Sequence, residues 1–215
     1  MNEKISLFDD LDREIAQQIQ DSCKIVSYPE NTIIIHQGDE TDSLFSLLSG
    51  KAIVMLLDDD GKQVVLNVLR PGDSFGEMSC LDGELRSATV MTREPSRFAV
   101  ISRSAFITIV NRHPAMLWRL NALLIQRLRK ATRKIEDLAF MDVYGRVARL
   151  LSECRDELGL GIEPITHEEI AQMVGASREM VSRVMKKLTD KGYIKREEGR
   201  IIILKKLAYR IEDIL

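Results

Sequence analysis

The chain has 215 residues, 45% of them hydrophobic and 30% charged, with a formal net charge of −2. This bounds it to one large or two small globular domains with apolar content enough for a core. With no long uncharged apolar run, no membrane-spanning helix is expected. Met1-Asn2-Glu3-Lys4-Ile5-Ser6 has no basic stretch followed by an apolar segment, so a cytoplasmic location is expected. Cys23, Cys80 and Cys154 are odd in number and far apart, which argues against a disulfide framework and an iron–sulfur cluster. The charge is unevenly spread. Residues 1–114 hold 11 Lys and Arg against 18 Asp and Glu, residues 166–206 hold 10 against 6, and residues 115–135 hold six basic residues and no acid. That asymmetry suits a sensor joined to a polyanion binder.

Residues 6–22 predict a short amphipathic helix, with Leu7, Leu11, Ile15 and Ile19 recurring every four residues. The period then changes. Short β-rich runs follow at Thr32–His36, Leu44–Leu48, Ala52–Leu57, Val64–Leu69, Ser87–Thr92 and Arg97–Ile101, cut apart by Gly, Asp and Pro turns. Such a series predicts an antiparallel barrel or jelly roll over residues 1–114. Near Ser104 the helical period returns. Leu117, Asn121, Leu124, Leu128, Ala131, Ile135 and Leu138 step by four and three alternately, a mean of 3.5 residues. That is a coiled-coil seam over three heptads, and residues 115–141 are expected to form a dimerisation helix and hinge. The alternative is a long helix packed on its own barrel. From Asp142 a third region begins. Val147, Leu150, Leu151, Cys154 and Leu158 mark a helix over Val143–Leu158, and Gly159-Leu160-Gly161 supplies its stop.

Thr166-His167-Glu168-Glu169 is a capping box. Ile170, Ala171 and Val174 form the inner face of a short helix, Gly175 permits a tight turn, and Ser177 caps a second helix running to Leu188. A capped helix, a glycine turn and a second capped helix make a helix-turn-helix. On the second helix Val181, Val184, Met185 and Leu188 face inward, while Arg178, Glu179, Ser182, Arg183 and Lys186 face outward. Arginine pairs with guanine O6 and N7, glutamate accepts from cytosine N4, and lysine suits phosphate. Tyr193–Arg196 and Arg200–Leu204, joined by Glu197-Glu198-Gly199, predict a β-hairpin wing closing residues 142–215.

With these residues in view, Ile165–Leu188 resembles the DNA-binding element of the cyclic-AMP receptor protein/FNR family, and the resemblance covers nearly the whole chain. Ser177-Arg178-Glu179 followed by Arg183 matches the family's base-reading pattern. The resemblance implies a homodimer reading a palindromic TGTGA-type site, with Thr166, Ser177, Arg178, Glu179, Arg183 and Lys186 at the DNA. Leu138–Arg146 is similar to the family's hinge. The resemblance also implies RNA polymerase as a partner. The segment between Gly145 and Thr166 is shorter than in the best-known member, so no polymerase-contact residues are carried over.

Pro71-Gly72-Asp73-Ser74-Phe75-Gly76-Glu77 precedes Arg86-Ser87-Ala88-Thr89-Val90. A cyclic phosphate carries one negative charge. Arg86 and Ser87 can give it a charge-assisted fork and a hydroxyl, and Glu77 can accept from a ribose hydroxyl. On spacing alone, a Glu77–Arg86 salt bridge with no ligand is the alternative. The arrangement resembles the phosphate-binding cassette of cyclic-nucleotide-binding domains. By that resemblance Gly76 and Glu77 hold ribose, Arg86, Ser87 and the Ala88 backbone hold phosphate, and Thr132 contacts the base of cyclic AMP. Ala131 stands where cyclic-AMP-responsive members carry an adjacent threonine. A ligand-independent regulator, or one answering cyclic GMP or cyclic di-GMP, is the alternative within the fold. His36, His113 and His167 are scattered, and Asp82-Gly83-Glu84 offers no axial histidine, so neither heme nor metal is expected. A cupin-like enzyme would need such a metal cluster, so no enzymatic activity is expected. A signalling adaptor without DNA binding would have no use for Arg178, Glu179 and Arg183 on a capped helix. The expected fold is therefore α+β, an antiparallel β-roll sensor, a long dimer helix and a winged helix-turn-helix.

Overall fold

Among the described residues, the Gly, Asp and Pro punctuation of the first half of the chain leaves eight short strands. They are β1 (Lys24–Tyr28), β2 (Ile33–Ile35), β3 (Leu44–Ser49), β4 (Ala52–Leu57), β5 (Gln63–Leu69), β6 (Ser74–Phe75), β7 (Thr89–Thr92) and β8 (Ser96–Ile101). They form two four-stranded sheets, ordered β1-β8-β3-β6 and β2-β7-β4-β5, and every pairing is antiparallel. This is the expected roll. The coordinates are a computed structural model that describes residues 19, 21–158, 162 and 164–209. Contacts divide the chain into two units, Met1–Leu128 and Arg129–Leu215. Apart from Ile19, Asp21 and Ser22, the helix expected over residues 6–22 lies outside the described residues.

Aromatic residues fill the space within the roll. Phe45 stacks on Phe75 with ring centroids 5.2 Å apart, and Phe98 stands edge-on to both. Such pairs add about 0.5–1.5 kcal/mol each beyond the area they bury. Ile35, Leu47, Ala52, Leu69 and Val90 complete the buried set of this cluster. A second cluster joins Leu44, Cys80 and Ile101 to Phe106, Ile109 and Val110, then to Met116 and Leu120. Phe106, Ile109 and Val110 lie on a helix spanning Arg103–Arg112, Met116 and Leu120 on one spanning Ala115–Phe140.

Two strands and one helix were not anticipated. β1 is an edge strand that leaves Ile25 more than half exposed, so its alternation is weak. β6 is only two residues long. A six-residue helix, α1 (Glu77–Asp82), is bracketed by Gly76 and Gly83, both left-handed, at φ 81° and 78°. The helices that follow are α2 (Arg103–Arg112), α3 (Ala115–Phe140), α4 (Val143–Leu158), α5 (His167–Val174) and α6 (Arg178–Asp190).

In the second unit, α3 ends at Phe140 and α4 begins after Met141 and Asp142. The Asp142 carboxylate accepts from Gly145 N–H at 2.8 Å, which supplies a cap for the new helix. Arg149 of α4 bonds Asp137 of α3, and its guanidinium lies 5.4 Å from the Tyr209 ring centroid. The buried face of α4 is Tyr144, Val147, Ala148 and Leu151, packed with Ile170, Ala171 and Val174 of α5 and Val181, Met185 and Leu188 of α6. Leu150 and Cys154 are half-buried rather than central, and Tyr144 takes a core place the stripe did not include. The Leu158 side chain and the expected stop at Gly159–Gly161 lie outside the described residues.

The wing is β9 (Ile194–Glu197) paired with β10 (Arg200–Ile203). Its loop is two residues, Glu198 at φ 48° and Gly199 at φ 79°, not the expected three. Positive φ at both positions matches the twist that a tight hairpin needs. Glu197 therefore belongs to the strand. Ile162 bridges to Ile201, which ties the chain before α5 onto the wing.

Candidate functional site

In the first unit, the local fold gathers Gly76, Glu77 and Arg86. The Arg86 backbone is pinned by the Gly38–Asp39 turn, which accepts its N–H at 3.0 Å and donates to its carbonyl at 2.8 Å. Its side chain turns inward and is 3% exposed. Nε donates to Thr41 Oγ1 at 3.0 Å, and the two Nη atoms donate to the carbonyls of Gly76 at 3.0 Å and Ser43 at 2.7 Å. These bonds engage three of the five N–H positions of the guanidinium. Burial pulls its pKa down from the ordinary value, while Cys80 and the carboxylates of Asp42, Asp39 and Glu77 push back.

Gly76 is the tightest point of this arrangement. A Cβ there would lie 2.5 Å from Arg86 Nη1 and 2.8 Å from the Ser43 carbonyl. Only glycine fits both the space and the left-handed backbone.

Glu77 does not pair with Arg86. Its Oε1 meets Nη1 of Arg127, from α3, at 2.5 Å, and Arg127 Nη2 donates to the Ser74 carbonyl. Glu77 is 1% exposed, and its Oε2 is buried with no hydrogen-bond partner among the described residues. Sequence reasoning missed Arg127, because fifty residues separate it from its partner. The available signal was the acid-free basic run of residues 115–135, whose arginines need carboxylates from elsewhere. Ser87 is exposed, with its hydroxyl 3.6 Å from Met78 Sδ, and Ala88 is nearly buried just before β7. Thr132 is an exposed residue of α3 in the second unit.

The second unit presents the helix-turn-helix. Thr166 Oγ1 accepts from Glu169 N–H at 3.1 Å, and the Glu169 carboxylate accepts from Thr166 N–H at 2.8 Å. Gly175 caps α5 at φ 64°. Ser177 accepts from Met180 N–H at 3.3 Å to start α6. Arg178, Glu179, Arg183 and Lys186 are exposed and Ser182 is half-buried, while Val181, Met185 and Leu188 are buried. Glu179 is held below the usual carboxylate range by its own backbone N–H, then by the Ser177 hydroxyl. Arg183, Lys186, Lys187 and Lys191, with Asp190, line a shallow basic cleft along the end of α6. A helix whose exposed face is cationic and whose opposite face is fully packed can enter a major groove without losing its core.

A β-roll sensor followed by a winged helix-turn-helix defines the class: a DNA-binding regulator with a cyclic-nucleotide-type sensor. Residues 25–113 match the cyclic nucleotide-binding domain family, and residues 145–208 match the Crp-like helix-turn-helix domain family. The chain is 36% identical over 188 residues to the cAMP-activated global transcriptional regulator CRP of Pasteurella multocida, covering 84% of this chain and 90% of that protein. It is 36% identical over 182 residues to the cAMP-activated regulator Vfr of Pseudomonas aeruginosa, covering 80% and 85%. It also superposes on the c-di-GMP-responsive global regulator CLP of Xanthomonas campestris with a TM-score of 0.80, at 27% identity, over 90% of this chain and all of that one. The chain belongs to the cyclic-AMP receptor protein/FNR family and is a DNA-binding transcription regulator, not an enzyme.

Proposed function

We propose that this regulator is a cytoplasmic homodimer controlled by cyclic AMP that acts on a palindromic TGTGA-type site together with RNA polymerase. The observation that carries the ligand is the Glu77 carboxylate. A buried oxygen without a partner costs about 1–3 kcal/mol or more, and Glu77 Oε2 is such an atom beside the close-packed Gly76. A ribose hydroxyl donated to it removes that cost.

When bound, a cyclic nucleotide supplies that hydroxyl and one negative charge. Gly76 lets the backbone approach, and Glu77 accepts. Ser87, the Ala88 N–H and the remaining N–H positions of Arg86 donate to phosphate. Arg127 orients Glu77. The assignment of Thr132 to the base rests on the family resemblance. Support for cyclic AMP comes from relatives described as cAMP-activated. A second reading, cyclic di-GMP, is favoured by Ala131 in place of a hydroxyl and by the c-di-GMP-responsive CLP.

The seam on α3 supports a second copy. Leu128 and Ile135 are each 67% exposed, and Leu138 and Leu117 are 50% and 42% exposed. These four keep the heptad spacing and stay exposed, while Leu124 packs half-buried against the Met116 and Leu120 cluster; an exposed heptad series asks for a partner helix. Two copies would set two recognition helices about 34 Å apart, one turn of duplex. Arg178, Glu179 and Arg183 would read bases, Lys186 phosphate, and Thr166 and Ser177 would cap the two helices at the backbone. The break at Met141–Asp142 would convert the sensor's state into that spacing.

Isothermal titration calorimetry of the full chain with cyclic AMP, cyclic GMP and cyclic di-GMP tests the ligand, and sedimentation equilibrium tests the dimer. Heat with cyclic AMP, weakened roughly tenfold by Ser87→Ala as expected for one charge-assisted hydrogen bond, supports the proposal. Heat with cyclic di-GMP alone establishes the second reading. No heat with any of the three, or a monomer at micromolar concentration, overturns it.

A further inference from the structure

A polar contact crosses between the two helices of the helix-turn-helix. His167 Nδ1 lies 2.9 Å from Ser182 Oγ. His167 is the first residue of α5, directly after the Thr166 cap, and Ser182 lies on α6 between Glu179 and Arg183 in the outward set. Both side chains are half-buried, so the contact sits at the edge of the face that meets DNA.

Two cations bear on the imidazole. Arg196 comes from β9 and also donates to the Ile165 carbonyl at 3.3 Å, and Arg178 comes from the first position of α6. On α5 itself the Glu169 carboxylate is occupied by the Thr166 cap. Partial burial, then Arg196 and Arg178, hold the His167 pKa below its ordinary value.

A serine hydroxyl has one proton, and the histidine decides where it points. With Nδ1 bare, the imidazole accepts the Ser182 proton, and Ser182 offers only lone pairs outward. As imidazolium, His167 donates from Nδ1, and the Ser182 proton turns outward. Phosphates arriving beside Arg178 and Arg196 cancel the repulsion that keeps the ring neutral.

We propose that His167 is a positioning residue that sets the donor or acceptor polarity of the Ser182 hydroxyl at the DNA surface, and that it takes up a proton as DNA binds. This rests on the DNA-binding reading of the helix-turn-helix and assigns its pH dependence. As a donor, Ser182 favours guanine O6 and N7 or thymine O4; as an acceptor, it favours the amino groups of cytosine and adenine.

The test is fluorescence anisotropy of the full chain at fixed salt and saturating cyclic AMP. It uses a duplex selected from a randomised palindromic library, at pH 6.0, 7.0 and 8.0, with wild type, His167→Gln and Ser182→Ala. Thermal midpoints confirm that each variant is folded. Uptake of one proton strengthens binding by at most about tenfold per pH unit. The wild type is expected to bind at least about threefold tighter at pH 6.0 than at pH 8.0, and His167→Gln to bind equally at both. Ser182→Ala should keep the pH slope and lose a preference at a single base pair. A contact that only braces the fold would shift affinity equally at every pH. A flat wild-type profile, or an unchanged slope in His167→Gln, overturns the inference and leaves DNA binding intact. Failure of the wild type to retain any duplex at any pH overturns both.

Discussion

Gly76→Ala isolates the sensor's tightest point. The alanine must hold a left-handed backbone, which costs about 1 kcal/mol. Its Cβ would meet Arg86 Nη1 at 2.5 Å and the Ser43 carbonyl at 2.8 Å. Neither group can retreat freely. Arg86 is buried and bonded on three sides, and Ser43 O is one of its acceptors. Relief of the clash therefore breaks the Nη1–Gly76 bond, and a hydrogen bond to a charged group is worth about 1.5–3 kcal/mol. Reduced freedom of the unfolded chain returns about 0.5 kcal/mol. The net is a loss of about 2–3.5 kcal/mol, or a urea midpoint lowered by about 1–2 M for a typical slope. Urea denaturation followed by circular dichroism measures it. A change below about 0.5 kcal/mol would mean that the Arg86 brace yields at no cost and that Gly76 is not held by it.

Three further outcomes are expected. Thr166→Ala removes half of the capping box and lowers the stability of the C-terminal unit by about 1 kcal/mol, measured by the same denaturation. Arg183→Ala, or Arg178→Ala, weakens operator binding by about 1–3 kcal/mol and relaxes selectivity at one base pair; unchanged selectivity across a panel of single-base variants would remove that residue from the reading face. Burial raises the Cys23 thiol to about 11, and burial followed by Asp42 raises the Cys80 thiol to about 11. Because both folded values lie above the ordinary 9.0, the protonated thiols favour the folded state below pH 9, and this contribution is lost as the pH rises from 9 to 11. Thermal midpoints should fall across that window, and Cys80→Ala should flatten part of the fall.

Features that depend on neighbours in the chain were legible in the sequence. Thr166 and Glu169 cap each other across three residues, Ser177 caps its own helix, and Gly175 sits where only a left-handed turn connects α5 to α6. The heptad steps gave the long helix, and the β-rich runs gave the roll. What distance in sequence hides was not legible. The alternative open on spacing paired Glu77 with Arg86, but Arg86 is drawn onto the Ser43 and Gly76 carbonyls, and Glu77 takes Arg127 from fifty residues away. The His167–Ser182 contact needs two helices to cross before it exists. β1 escaped notice because an edge strand buries little and need not alternate cleanly.

Occupancy of the site around Glu77 and Arg86 is expected to control DNA affinity. Fluorescence anisotropy on a labelled palindromic TGTGA-type duplex, at one fixed salt concentration because phosphate contacts are salt-dependent, measures this directly. It is run without nucleotide, then with cyclic AMP, cyclic GMP or cyclic di-GMP. Weak binding alone and tightening with cyclic AMP are expected. Equal, tight binding in every condition would contradict this and make the dimer competent without an effector.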